Sequence, residues 1–97
     1  MMRLEKNEIE VIVATIDKIF NRTEVFLFGS RLDDTKKGGD IDLFIIPKER
    51  TNLFEKKIKV LAKLERLLHK PVDLIIHKNF ERNIEKEILK SNIALKV

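Results

Sequence analysis

The pattern of hydrophobic and polar residues predicts an amphipathic helix followed by two strands. Residues 5–20 carry apolar side chains at helical spacing with charged residues between them, so we expect a helix with one buried stripe. Residues 25–28 are a short apolar run that ends at a glycine, and residues 41–46 are a second apolar run that a proline stops. The polar segment between the two runs is bounded by glycines, which indicates a loop.

The second half of the chain predicts a helix, a third strand and a closing helix. Residues 53–69 have helical periodicity, and Thr51 or Asn52 can cap this helix. Residues 72–76 are expected to form the third strand and residues 81–91 the closing helix. The order α-β-β-α-β-α predicts a small mixed sheet of the α/β (α+β) class with helices mainly on one face. A helical crossover makes the third strand parallel to an earlier one, whereas the first two strands can pair antiparallel.

The same periodicity predicts which apolar side chains face inward. In the second helix these form one stripe with a second row beside it: Phe54, Ile58, Leu61 and Leu68, and then Leu53, Val60, Leu64 and Leu67. In the closing helix they are Ile84 and Ile88, with Leu89 beside them. Strand alternation leaves a further apolar set on the other face of the sheet: Phe26, Phe28, Phe44, Ile46 and Ile75. Either the closing helix or a loop covers this set, or it forms a surface for a partner or for self-association.

Length and composition indicate a single domain over residues 1–97. The chain is 43% hydrophobic and 37% charged, and it contains no apolar stretch of the length that a membrane span needs. Its start lacks the apolar centre of a secretory signal, so we expect a cytoplasmic protein. The absence of cysteine excludes disulfides and thiolate metal sites, and two isolated histidines cannot build a zinc site. Any metal should therefore be a hard cation held by carboxylates.

The net charge of +4 is concentrated in one segment. Residues 55–70 contain six basic and two acidic side chains, whereas the rest of the chain is nearly neutral. Four basic residues form one row on the outer face of the second helix: Lys59, Lys63, Arg66 and Lys70. The row is either a solvated helix face or a contact for an acidic partner or RNA, so we do not expect nucleic acid to be the main partner.

Three carboxylates carry the strongest indication of chemistry. Asp40 and Asp42 project on the same side of the second strand, because strand side chains alternate between faces. Asp73 in the third strand joins them if the two strands are neighbours in suitable register. Carboxylates this close repel one another, and a cation is needed to neutralise them. Mg²⁺ is the natural choice because it binds carboxylate and phosphate oxygens together, and two such ions suit an in-line nucleotidyl transfer.

Gly29, Ser30 and Arg31 follow the first strand and suit a polyphosphate. A glycine lets the backbone approach the phosphates closely, Ser30 offers an N–H and a hydroxyl, and Arg31 adds a permanent positive charge. Alone, a Gly-Ser pair is typical of a plain turn. Phosphate binding is predicted here because the pair occurs together with the carboxylates. His77 follows the third strand and is expected at the surface, with a weaker interpretation as an active-site residue near Asp73.

These residues resemble the minimal nucleotidyltransferases of the DNA polymerase β superfamily. The motif of that family is Gly-Ser, a spacer of about ten residues, Asp-x-Asp and a later strand carboxylate, and this chain reads LFGSRLDDTKKGGDIDLFII and then PVDLII. The resemblance implies the polymerase-β-like nucleotidyltransferase fold. It also implies that Asp40 and Asp42 hold the metals and that Asp73 completes the site and acts on the acceptor hydroxyl. Gly29 and Ser30 would bind the triphosphate.

Small members of this family look like the antitoxin of two-gene modules whose toxin is a helical HEPN ribonuclease. The resemblance therefore implies an enzyme that transfers AMP from ATP, with Mg²⁺, to a hydroxyl of that toxin. The alternative is a nucleotide-binding antitoxin that acts by contact with little or no catalysis. Transfer to a small molecule and templated polymerisation are disfavoured, because the chain has no further domain to hold such an acceptor. The preferred nucleotide, the acceptor, the oligomeric state and the identity of the general base stay open.

Overall fold

A computed structural model describes residues 4–29 and 40–96, which form a mixed sheet with helices on both faces. The sheet has the strand order β3-β2-β1-β4. The elements in chain order are α1 (Lys6–Phe20), β1 (Thr23–Phe28), β2 (Ile41–Pro47), α2 (Leu53–Leu68), β3 (Val72–Ile76), α3 (Asn83–Lys90) and β4 (Ile93–Ala94). No helix within the described ranges combines the length and the apolar character that crossing a membrane requires.

The strand pairing confirms the predicted α/β class and adds one strand. β1 and β2 pair antiparallel, and β3 returns through the α2 crossover to lie parallel to β2. The sequence did not predict β4, whose two residues are too few to show a period. β4 pairs antiparallel with β1, and the Leu95 N–H extends the pairing by donating to the Val25 carbonyl at 2.8 Å.

The main core lies between α1, α2 and one face of the sheet. α1 buries Ile12, Ile16 and Phe20 at intervals of four residues, as its periodicity predicts. The strands contribute alternate residues to the same core: Val25, Leu27, Ile41, Leu43, Ile45, Val72 and Leu74. Lys70 of the predicted basic row bonds Glu8 of α1 at 2.7 Å, so one member of that row joins the two helices rather than facing solvent alone.

α2 is rotated relative to the prediction. Val60 and Leu64 are its fully buried residues, whereas Phe54 is 75% exposed and Ile58 is 50% exposed. The stripe predicted to be buried through Phe54 and Ile58 was therefore wrong in that half of the helix, because Val60 and Leu64 of the row beside it face the sheet. The prediction was also wrong for Leu67 of that second row, which is 47% exposed near the end of the helix. The predicted cap is also wrong at Asn52, which has a left-handed backbone (φ 53°) and no capping bond from its side chain.

α3 lies on the opposite face of the sheet, where Glu85 holds it to the end of β3. The buried Glu85 carboxylate accepts hydrogen bonds from the N–H groups of Lys78 and Asn79, both at 2.9 Å, and contacts His77 Nδ1 at 2.6 Å. Arg82 Nη1 donates to the same carboxylate at 3.1 Å. Burial raises the pKa of Glu85, but the two backbone hydrogen bonds and His77 outweigh it and lower the pKa to about 2.

These contacts correct the predicted inward face of α3. Ile88 is buried, but Ile84 and Leu89 are exposed by 40% and 52%, and Glu85 takes the inward position that was assigned to Ile84. Residues three apart lie on the same face of a helix, so the position of Glu85 relative to Ile88 was the sequence feature that indicated its inward orientation. His77 was expected at the surface and is instead half-buried, bonded to Glu85 and stacked on Phe80 with 4.1 Å between ring centroids.

The second face of the sheet is also largely covered. Phe44 is 1% exposed and packs edge-on against the His77 ring, with 6.2 Å between centroids. Four other apolar residues of this face are half-buried: Phe26, Phe28, Ile46 and Ile75. The hypothesis that this set forms a partner surface therefore fails for Phe44, because the turn after β3 and α3 occupy that space.

We expect Glu85 to be the strongest single electrostatic contribution to stability. Because its pKa lies below the ordinary value of 4.5, the ionised carboxylate stabilises the fold above pH 4.5, and this contribution is lost as the pH falls toward 2. Glu85→Gln should lower the free energy of unfolding at pH 7 by about 3 kcal/mol, since it leaves buried donors poorly paired. Urea denaturation between pH 7 and pH 3 measures both effects.

Glu81→Gln is the matched control, because Glu81 is exposed and makes only a 3.6 Å pair with Lys86. The control should unfold like the wild type at every pH. Equal stability of the Glu85→Gln and Glu81→Gln variants at pH 7 would contradict the assigned role.

Candidate functional site

Two of the predicted acidic residues are neighbours at one end of the paired strands β2 and β3. Asp42 and Asp73 are direct neighbours in the parallel register, so their side chains leave the same face of the sheet side by side. Asp40 lies two residues before Asp42, just ahead of β2. The sequence alone could not decide whether Asp73 lies beside Asp42, and the observed register shows that it does.

Gly29 closes this site from the end of β1. Phe28 is the register partner of Asp42, so the next residue, Gly29, turns directly against the Asp42 side chain. Gly29 has a φ of +81°, and a Cβ atom placed there would overlap the carboxylate of Asp42 and lie 3.1 Å from its Cγ. The backbone angle therefore favours glycine at this position, and any side chain there would have to displace the Asp42 carboxylate.

The three carboxylates differ in exposure and contacts. Asp40 and Asp73 are exposed and Asp42 is half-buried. Asp73 Oδ1 accepts a hydrogen bond from the N–H of Leu74 at 3.0 Å, so one of its oxygens is turned toward its own strand. This local bond was not apparent from the sequence, because any carboxylate in a strand has the option of bonding its neighbour.

The carboxylates do not form a complete metal site by themselves. Among residues 4–29 and 40–96, no three His, Cys, Asp or Glu side chains converge closely enough to hold a metal ion. Oxygen donors of this kind nevertheless fit Mg²⁺, which commonly takes one or two carboxylates and completes its shell with substrate phosphates and water. The adjacent Asp42 and Asp73 fit that pattern, with Asp40 two residues away.

The other predicted site residues have separate outcomes. Ser30 and Arg31 lie outside the described residues, so their roles toward the phosphates stay predictions. His77 is four residues beyond Asp73 and follows the opposite end of β3, where it bonds Glu85. The structure therefore separates His77 from the carboxylates, and its interpretation as an active-site residue is not supported.

Chains of similar fold occur in solved toxin–antitoxin structures. One, from the tri-AMPylated Shewanella oneidensis HEPN toxin in complex with MNT antitoxin, is 17% identical with a TM-score of 0.74, covering 96% of this chain and 72% of that chain. A chain from a toxin–antitoxin with AMP-PNP is 19% identical with a TM-score of 0.75, covering 96% and 73%. A chain from the toxin–antitoxin MntA–HepT is 16% identical with a TM-score of 0.71, covering 95% and 72%.

At these identities the likeness establishes a common fold. No curated protein matches the chain in sequence. A family model described as polymerase beta, nucleotidyltransferase matches residues 7–96, which include every strand and helix after the first residue of α1. Since this match spans nearly the whole chain and the carboxylate pair and glycine lie where the motif predicts, the chain belongs to the polymerase beta nucleotidyltransferase family.

Proposed function

We propose that this chain is a Mg²⁺-dependent nucleotidyltransferase that transfers AMP from ATP to a hydroxyl of a HEPN-type toxin and so acts as its antitoxin. The observation that carries the proposal is that Asp42 and Asp73 lie side by side on paired strands, with Gly29 packed against Asp42. Two adjacent carboxylates beside a close-approach glycine suit a nucleoside triphosphate with its metal. Asp73 is exposed on β3, the end strand of the sheet, where a nucleotide has access to it.

The residues of the site have distinct roles in this reaction. Asp40, Asp42 and Asp73 would hold Mg²⁺, which would neutralise charge on the triphosphate and polarise its α-phosphate. The absence of a side chain at Gly29 leaves room for the Asp42 carboxylate, and its backbone would approach the triphosphate closely. Ser30 and Arg31 would bind the phosphate oxygens, as the motif predicts.

In the proposed reaction, the acceptor hydroxyl oxygen forms a bond to the α-phosphorus of ATP. The bond between that phosphorus and the bridging oxygen of the β-phosphate breaks, and pyrophosphate leaves with the electron pair. The hydroxyl proton passes to a carboxylate of the site, and the exposed Asp73 is the candidate base because its free side has room for the acceptor. The products are an AMP ester of the acceptor and pyrophosphate.

The choice of partner and nucleotide is supported by what the similar structures hold. One contains a tri-AMPylated HEPN toxin with an MNT antitoxin, and another is a toxin–antitoxin with AMP-PNP. These proteins share the fold of this chain, so we infer that ATP is the donor and a HEPN-type helical protein is the acceptor. Self-association of this chain stays a separate prediction.

The direct test incubates this chain with the helical protein encoded beside it, α-labelled ATP and Mg²⁺. We expect label on the partner, and the double variant Asp40→Asn with Asp42→Asn should lower the rate of labelling by about 100-fold or more, since it removes the charges that hold the metal. Asp17→Asn is the matched control, because Asp17 is an exposed carboxylate on α1. The control should label the partner at the wild-type rate.

Tight binding of the partner without labelling by the wild type would contradict the proposed enzyme and favour an antitoxin that acts by contact. Labelling that survives in the Asp40→Asn and Asp42→Asn double variant would contradict the assigned site.

The role of Gly29 gives a second prediction. Gly29→Ala should remove most labelling activity, because the new methyl group displaces the Asp42 carboxylate, and the positive φ should also destabilise the fold by about 1–2 kcal/mol. Ala62→Gly, in the exposed part of α2, should cost about 1 kcal/mol without touching the site. Thermal unfolding and labelling rates of the two variants separate the effects, and similar labelling by both would argue against the close approach at Gly29.

A further inference from the structure

A cavity of about 310 Å³ lies along β3, which is the end strand of the sheet. Ile75 and Ile76 line one side of it, and the first turn of α2 lines the other with Phe54. We call it the β3-edge cavity. Its volume is at the lower limit for sites that enclose a small molecule, and its wall is open where Phe54 is 75% exposed. A cavity of this kind fits one side chain of a larger partner better than a free ligand.

All the charged residues that line the β3-edge cavity are basic. They are Lys57 from α2, and Lys78 and Arg82 from the segment before α3. Arg82 is neutralised by Glu85 at 3.1 Å. Lys57 and Lys78 have no carboxylate within salt-bridge distance in residues 4–29 and 40–96, so they give the cavity a positive rim.

The apolar part of the same surface is unusually exposed. Phe54 projects beside the cavity, and Ile58, one turn later on α2, is 50% exposed. Large apolar side chains that stand together at the surface and are bordered by charged residues are typical of interaction sites. The apolar part of the lining is aliphatic except for Phe54, whereas single-stranded RNA is usually held on several stacked aromatic rings. The chemistry therefore favours a protein partner over RNA.

The edge of β3 is not available for pairing with an added strand over its first half. The N–H of Val72 donates to Glu65 Oε2 and the N–H of Leu74 donates to Asp73 Oδ1, both at 3.0 Å. Addition of a strand needs a row of unbonded backbone groups. A partner at this edge should therefore bind through its side chains.

We propose that the β3-edge cavity docks an acidic segment of the protein acceptor, which inserts one apolar side chain against Phe54 and places its carboxylates on Lys57 and Lys78. Ile75 is two residues beyond Asp73 on the same face of β3, at a distance of about 7 Å along the strand. Lys78 and Arg82 follow the end of β3 that lies opposite Asp73, so a segment held in the cavity binds away from the carboxylates and tethers the acceptor to this side of the sheet. The identity of the docked protein as the acceptor rests on the proposed function, whereas the docking of an acidic segment does not.

The test uses the full chain with the helical protein encoded beside it and measures binding and labelling separately. Charge reversal by Lys57→Glu with Lys78→Glu should weaken partner binding by about tenfold, measured by calorimetry. The KM for the partner should rise by a similar factor, while the KM for ATP stays unchanged. Phe54→Ser should give the same pattern, and its exposed position makes loss of folding no concern.

Lys59→Glu with Arg66→Glu is the matched control, since it makes the same change of charge at exposed positions of α2 away from the cavity. The control should bind and label the partner like the wild type. An equal loss of partner binding in the control and in the cavity variant would overturn the proposal, because the change of net charge alone would then account for the loss.

Two further outcomes separate this proposal from the proposed function. If the wild type binds the partner without labelling it and the cavity variant loses that binding, the docking site stands and the enzyme proposal fails. If labelling occurs and the cavity variant binds and labels normally, the docking site is overturned and the enzyme proposal stands. Binding of a twenty-nucleotide single-stranded RNA that is lost in the cavity variant, with partner binding intact, would also overturn it.

Discussion

The parallel pairing of β2 with β3 is the constraint on which the rest of the molecule depends. It fixes Asp42 beside Asp73, and the antiparallel pairing of β1 on the other side brings Gly29 against the same carboxylate. A shift of either strand by one residue would turn an aspartate into the core and an apolar side chain to the surface. The buried residues that alternate with the aspartates therefore hold the site in register, since Ile41, Leu43 and Leu74 each have no exposed surface.

This arrangement also explains why the carboxylates can tolerate one another. Asp73 and Asp40 face solvent, which screens their repulsion, and the bond from the Leu74 N–H to Asp73 gives one oxygen a local partner. Asp40 and Asp73 of the proposed site are exposed near the starts of the strands, whereas both carboxylate oxygens of the buried Glu85 are engaged in hydrogen bonds. The carboxylates of the proposed site are exposed or half-buried near the starts of β2 and β3, whereas Glu85 anchors α3.

The sequence predicted the sheet and the carboxylates because both depend on short, strict patterns. Strand alternation placed Asp40 and Asp42 on one side, and the α2 crossover required β3 to be parallel. The prediction from periodicity failed on α2, because this helix has more apolar residues than the core can bury. Periodicity alone could not decide whether Phe54 or Val60 faces the sheet. The prediction also missed that Glu85 is buried. Its carboxylate is stable there because the N–H groups of Lys78 and Asn79 donate to it, and those contacts form only when α3 packs against the turn after β3. The two-residue strand β4 carried no period at all.

We propose that the carboxylates near the starts of β2 and β3 hold the metal of a bound nucleotide. A crystal structure of this chain with AMP-PNP and Mn²⁺, with anomalous diffraction used to locate the ion, tests it most directly. We expect an anomalous peak in contact with the carboxylate oxygens of Asp42 and at least one of Asp40 and Asp73, with the triphosphate running past Gly29. A nucleotide and an ion bound away from these residues, with Asp42 in contact with neither, would contradict it.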